Sequence, residues 1–229
     1  MIDIHSHVLP GVDDGSDNEK ESLSMLKEAE MQGVTDMIFT PHYRVDYRVK
    51  ADRLKEVFAD FSEKAKADGC NVNLYLGQEL YAFRDLGSYL DEGKLLPMNG
   101  TKYVLLEFSS SIVCDIVESA YDVSVMGYIP IIAHIERYSY ANIYTAEEVK
   151  ELGGLIQINS VSVTGDAKRD YRKRAQAYLK ADLVDFVASD IHSFRKYTMA
   201  EAYKIIEKKY GTERAERLFV KNALQIIGK

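Results

Sequence analysis

The first sixteen residues, MIDIHSHVLPGVDDGS (Met1–Ser16), begin as a short apolar strand, stop on two histidines, His5 and His7, and continue into a loop with Asp13 and Asp14. Imidazoles two residues apart on extended backbone point to the same side, so His5 and His7 can clasp one ion. A lone His-x-His pair is weak evidence, because such pairs are frequent on solvated loops. Its weight comes from the placement of the other histidines along the chain.

Working outward, short β-rich apolar runs alternate with amphipathic stretches, as in repeated βα units around a parallel sheet. Strands are expected near Met1–His5, Thr35–Thr40, Asn73–Leu76, Tyr103–Phe108, Ile129–Ala133, Leu155–Ile158 and Val184–Ala188. Helices are expected near Asn18–Gln32, Ala51–Ala67, Cys114–Met126, Ala146–Leu152 and Ala167–Lys180, with helical segments from Met199 onward. In the first helix, Ser16 and Glu19 make a capping-box pattern, Leu23, Leu26 and Ala29 or Glu30 make an apolar stripe, and Gly33 supplies the C-cap. No internal repeat, low-complexity tract or Pro/Gly/Ser linker divides the chain. The expectation for residues 1–229 is a single α/β domain built as a barrel of seven strands.

Every histidine follows the end of one of these strands: His5 and His7 the first, His42 the second, His134 the fifth, His192 the seventh. Parallel barrel strands converge at their C-terminal ends on one face, where barrel enzymes build active sites. Carboxylates repeat the placement, with Asp13 and Asp14 in the first loop, Glu79 after the third strand, Glu107 closing the fourth and Asp190 two residues before His192. Taken singly, His42 reads equally as a turn residue after Pro41, and His134 as a core histidine after IPIIA. Taken together, they would have to reach strand ends by accident, and Glu107 after YVLL would be a costly buried charge. Mixed nitrogen and carboxylate ligands suit manganese, iron(II) or zinc better than calcium or magnesium.

Composition narrows the partners. The chain of 229 residues carries 29 Lys+Arg against 36 Asp+Glu, a net charge of −7, so no basic field draws in nucleic acid or an anionic membrane. Hydrophobic residues at 46% supply a sizeable core. Cys70 and Cys114 are too few for a disulfide framework, and no apolar run is long enough to span a bilayer, which makes a reducing cytoplasm the expected setting.

Clustered divalent cations lower the pKa of bound water and clamp phosphoryl oxygens, which makes phosphate-ester hydrolysis the leading chemistry. Amide or lactone hydrolysis uses the same ligands and stays open. Arg137, three residues past His134, and Arg195, three past His192, favour phosphate, because guanidinium forks match its oxygens. For Arg195, within SFRKY, a solvated loop charge is an equal reading. Thiol chemistry of the tyrosine-phosphatase type needs an arginine six residues after the cysteine, and those positions hold Leu76 and Ala120. No GxSxG or GxxxxGK[ST] motif occurs.

Six motifs in order, DIHSHVLPGVDDGS (Asp3–Ser16), FTPHY (Phe39–Tyr43), GQEL (Gly77–Leu80), LLEF (Leu105–Phe108), AHIERY (Ala133–Tyr138) and ASDIHS (Ala188–Ser193), span nearly the whole chain. They resemble the polymerase and histidinol phosphatase (PHP) superfamily. Within it, the DDGS tail and AHIERY look like the bacterial manganese-dependent protein-tyrosine phosphatases of capsule and exopolysaccharide operons.

The resemblance implies a distorted seven-stranded, TIM-like (β/α) barrel with three divalent ions, Mn2+ foremost and Fe2+ or Zn2+ as alternatives. It implies that His5, His7, Glu79 and Asp190 hold one ion. Glu79 bridges to a second held by Glu107 and His134, and Asp14, His42 and His192 hold the third. Arg137, Arg195 and Asp190 are the implied catalytic residues. In the family the second arginine sits further beyond the Asp-x-His motif in a Pro-containing loop, and Arg195 departs from that pattern. The implied substrate is a tyrosine autokinase controlling polysaccharide synthesis; histidinol phosphate or another small phosphate ester is the alternative.

Overall fold

The computed structural model describes residues 1–229. Its strands are β1 (Ile2–Ser6), β2 (Asp36–Phe39), β3 (His42–Tyr43), β4 (Asn73–Leu76), β5 (Glu79–Tyr81), β6 (Tyr103–Glu107), β7 (Ile129–Ile132), β8 (Leu155–Asn159) and β9 (Phe186–Ala188). The helices are α1 (Glu19–Met31), α2 (Ala51–Ala67), α3 (Leu86–Asp91), α4 (Ile116–Val125), α5 (Ile143–Glu151), α6 (Ser160–Thr164), α7 (Arg169–Lys180), α8 (Met199–Tyr210), α9 (Thr212–Glu216) and α10 (Asn222–Ile227). None is long and apolar enough to cross a membrane.

All strand pairings are parallel, in one part ordered β1-β2-β4 and another ordered β3-β5-β6-β7-β8-β9. The α/β class with an all-parallel sheet is as expected, but the strands fall into separate three-stranded and six-stranded parts rather than one seven-stranded barrel sheet. The strand count differs from the sequence reading, because two short strands, β3 and β5, follow just beyond the second and third expected strands. Thr40 and Pro41 separate β2 from β3, Gly77 and Gln78 separate β4 from β5, and Pro41 has no N–H to continue a ladder. Gly77 N–H to Phe39 O (2.8 Å) and Glu79 N–H to Pro41 O (3.1 Å) carry the register over the breaks. At the other edge, a Ser6–Ile191 bridge, with Asp190 N–H to His5 O at 2.9 Å, ties β1 to the segment after β9.

Most strands are buried along nearly their whole length, with successive side chains alternating between two apolar faces as in covered parallel strands. Met37, Phe39, Val104, Leu106, Ile132, Ile156, Ile158 and Val187 join the cluster shared with the surrounding helices. Their neighbours Ile38, Leu105, Ile131, Phe186 and Ala188 join a smaller cluster on the opposite face, closed by Ala223, Ile226 and Ile227 of α10. Glu107 follows Leu105 by two residues at the end of β6, and Asp190 follows Ala188 by two just past β9, so strands that begin apolar lead into ligand-type side chains.

Local signals hold in most places and shift in a few. The cap of α1 is Asn18, whose side chain accepts from Glu21 N–H; Ser16 instead donates to the Asn18 carbonyl and receives Ser22 Oγ–H. Gln32 is the C-cap, with Gly33 following at φ +83°, where glycine avoids the Cβ clash. Two single-turn helices, α3 and α6, carry too few periods to be seen in sequence.

Candidate metal centre

Loop folding brings the first motif over itself. Gly15 lies so close to His7 that a Cβ there would sit 2.0 Å from the His7 carbonyl oxygen, so only glycine lets the loop fold back. Ser193 N–H holds Gly15 O at 3.0 Å, which docks this loop on the segment carrying His192. Two non-glycine residues of the site, His134 (φ +32°) and Asp190 (φ +50°), occupy the left-handed region, a strain that surrounding contacts must hold in place.

All nine expected ligand residues come together, although His5 lies within β1 and His42 and Glu79 open β3 and β5 instead of following a strand. Four overlapping groups have ligand atoms within 4.8 Å of one another: His7, Asp14, His42 and His192; His5, His7 and Asp190; His5, Glu79 and His134; His42, Glu79 and Glu107. Glu79 is the hub. Its Oε1 lies 2.9 Å from His134 Nε2 and 3.3 Å from His5 Nε2, and its Oε2 lies 2.8 Å from His42 Nδ1 and 3.4 Å from His7 Nε2. His7 belongs to two groups and His42 reaches Glu79 and Glu107, so the neighbourhoods overlap more than the implied three-way partition.

Hydrogen bonds assign the ring protons. Gln157 Oε1 accepts His134 N–H at 2.7 Å, so it is an oxygen acceptor for His5 Nδ1 at 3.2 Å. Asp13 Oδ2 takes His7 Nδ1–H at 2.7 Å, and the Asp190 carbonyl takes His192 Nδ1–H at 3.1 Å. In their neutral forms, His5, His7 and His192 therefore all turn bare Nε2 lone pairs into the cluster. Such outer hydrogen bonds commonly orient metal-ligating histidines.

The charge balance asks for cations. Burial disfavours a charged His42, yet Glu79 and Glu107 outweigh it and push the ring up to about 11; Asp13 and Glu79 likewise lift His7 to about 9 against burial and the repulsion of His42. Burial raises Asp190 and Glu79, but the surrounding histidines, joined at Asp190 by Arg195 and Arg137, hold both below the usual carboxylate range. Asp14 Oδ1, His42 Nδ1, Glu79 Oε2 and Glu107 Oε2 are buried without a hydrogen-bond partner. Orphaned acceptors beside inward lone pairs, in a nitrogen and carboxylate donor set, fit divalent cations.

Both expected arginines reach the cluster. Arg137 Nη1 lies 3.2 Å from Asp190 Oδ2, while Arg195 Nη1 lies 2.7 Å from Asp190 Oδ2 and donates to the Asp190 carbonyl at 2.7 Å. Sequence reading misses Gln157, Asn159, Tyr138 and Arg44. Asn159 donates to Asp190 Oδ2, Tyr138 OH meets His134 Nδ1, and Arg44 donates to Asp14 Oδ2. Gln157 and Asn159 have a signal in LIQIN, where polar residues interrupt an apolar strand. Asp13 is visible in sequence as a loop carboxylate, but its pairing with His7 is not.

A family profile described as "Capsular polysaccharide synthesis, CpsB/CapC" matches residues 1–228. Tyrosine-protein phosphatase CpsB of Streptococcus agalactiae is 37% identical over 239 residues, covering 99% of this chain and 98% of that protein. Tyrosine-protein phosphatase YwqE of Bacillus subtilis is 32% identical over 219 residues, covering 93% and 86%. A crystal structure from work on Bacillus subtilis YwqE and Streptococcus pneumoniae CpsB, described as unique metal-dependent tyrosine phosphatases, matches with a TM-score of 0.93 at 30% identity, covering 100% of this chain and 95% of that one.

Proposed function

The chain belongs to the CpsB/CapC family of capsular polysaccharide synthesis proteins, and on that premise we propose that it is a metal-dependent protein-tyrosine phosphatase. The observation that carries the reading is the set of bare Nε2 lone pairs and orphaned carboxylate oxygens gathered beside two guanidiniums. Its substrate is a tyrosine-phosphorylated protein, a tyrosine autokinase of the polysaccharide machinery, met in the cytoplasm. Residues 1–229 act as a single domain. The two sheet parts, joined at Pro41 and Gln78 and again at Ser6–Ile191, are counted together as one distorted seven-stranded barrel.

Three divalent ions, manganese first, are assigned to His5, His7, Glu79 and Asp190; to Glu79, Glu107 and His134; and to Asp14, His42 and His192. Bound there, such ions supply an acidified water and polarise phosphoryl oxygens. The protein's own groups do the rest. Gln157, Asp13 and the Asp190 carbonyl keep the imidazoles in the tautomer that offers Nε2. Arg137, 28% exposed on one side and fixed to Asp190 on the other, offers a permanent positive fork where phosphoryl charge is redistributed. Asp190 faces the histidines with Oδ1 and orients Arg137 and Arg195 with Oδ2.

A substrate panel under manganese tests the reading. Phosphotyrosine should exceed phosphoserine and histidinol phosphate in kcat/KM; a clear preference for histidinol phosphate would move the protein to the small-molecule branch.

A further inference from the structure

The turn after β3 builds a second basic wall. Arg44 and Tyr47 exchange backbone hydrogen bonds at 3.0 and 2.9 Å around Val45-Asp46, a tight hairpin that presents both side chains together. The Tyr47 ring stacks on His42 at 17° with 6.2 Å between centroids, and the Arg44 guanidinium lies 5.1 Å from the same ring's centroid. Arg44 Nη2 donates to Asp14 Oδ2 at 3.0 Å, and its Nε is buried with no partner. The arginine is therefore held in place on one side and under-used on the other.

Arg44 also lines a cavity of about 210 Å³, together with residues that include Tyr81, Glu107, His134 and Arg137. Two guanidiniums thus share one small chamber that opens on two ligand-type residues. Arg195 is absent from its lining and spends one nitrogen on both the carbonyl and the carboxylate of Asp190. A phosphate monoester has three non-bridging oxygens, more than one fork can satisfy, and planar guanidiniums match them pairwise. An arginine already fixed by a hairpin and an aromatic face loses little freedom on binding.

We propose that Arg44 is a phosphate-binding residue, which with Arg137 grips the substrate phosphoryl group in this cavity, and that Arg195 is a positioning residue for Asp190. The proposal rests on the phosphatase reading and names which groups of that site touch the substrate.

The test uses the full chain loaded with manganese, orthophosphate as the probe in titration calorimetry, and elemental analysis for metal per chain. Losing a hydrogen bond to a charged group should weaken orthophosphate binding about tenfold or more in Arg44→Met. Arg44→Lys should fall between Arg44→Met and wild type, and both should keep the wild-type metal content. Unchanged orthophosphate affinity overturns the proposal. So does a loss of metal, with or without weaker phosphate binding, since Arg44 would then act through Asp14. If Arg44→Met gives no soluble protein, Arg44→Lys decides by the same two readings. Failure of the phosphatase reading shows elsewhere, as a wild-type protein without manganese-dependent hydrolysis of an aryl phosphate.

Discussion

The Nε2 atoms of His5 and His7 face each other across 3.2 Å, while Gln157 and Asp13 accept at the two Nδ1 positions, so neutral rings would set two lone pairs against each other. Two lone pairs that close repel unless something positive lies between them or one ring takes a second proton. The same conflict recurs where His42 Nδ1 and Glu79 Oε2 come within 2.8 Å without hydrogen-bond geometry. The cluster is built around charges that the polypeptide itself does not contain.

Chelation should therefore abolish hydrolysis, and added manganese should restore it. It should also lower Tm, since ligand binding to the folded state stabilises by mass action. Cys70 and Cys114 contribute no group to the cluster, so serine at both should leave the rate close to wild type. An enzyme that resists chelator and dies on thiol alkylation would end the metal reading.

Gln157→Leu should be far more damaging than an ordinary polar-to-apolar change within a strand. It frees the His5 ring to change tautomer and strands the His134 N–H, which now donates at 2.7 Å. Outer-sphere partners of this kind commonly change metal affinity about 10- to 100-fold, and an orphaned buried donor costs about 1–3 kcal/mol. Competition with a chromogenic chelator, together with thermal unfolding, reads both effects. Unchanged affinity would mean that Gln157 plays no part in orienting His5.

Arg137→Lys should lower kcat/KM on an aryl phosphate by about tenfold or more with metal content unchanged, because lysine keeps the charge and loses the fork. Arg195→Lys should be milder: one ammonium can still reach the Asp190 oxygens that Arg195 Nη1 now contacts. Equal losses in the two variants would contradict this division of roles.

At the opposite end of the sheet, Asp36 gathers Lys229, Thr35, Tyr75 and Asn73. Burial alone would raise its pKa, but these partners, Lys229 foremost, hold it below the usual carboxylate value. A depressed folded pKa stabilises above the unfolded value of about 4 and loses that contribution as pH falls through the lower folded one. Asp36→Asn should cost about 1 kcal/mol at pH 7, an exposed-lysine pair being weak. The gap from wild type should close on acidification; urea titrations of both proteins at neutral and acid pH measure it, and a gap that widens in acid contradicts the assignment.

The order of the main strands and helices can be read from the chain because it depends on short-range periodicity; the histidines come close to strand ends as expected, but His5 lies within β1 and His42 opens β3 rather than following a strand. Residue chemistry is local too: LLEF announces a carboxylate at the end of an apolar strand whether or not its neighbours are known. The cap of α1 lies two residues from its expected place, since Ser16 and Asn18 offer the same side-chain chemistry. Only the folded backbone decides which of them faces the first turn.

What the sequence determined alone was the parts: an alternating α/β chain, five histidines and several carboxylates in or near strand-end segments, and motifs that identify the family. The tertiary structure decided how those parts face one another. His5 and Gln157 are 152 positions apart, and the proton they share is settled by the curl of the sheet. The same curl sets Arg137 and Arg195 on one carboxylate, and the hairpin after β3 brings Arg44 to a cavity shared with Arg137. Distance in sequence carries no record of such meetings, because they depend on the cumulative geometry of all the strands between.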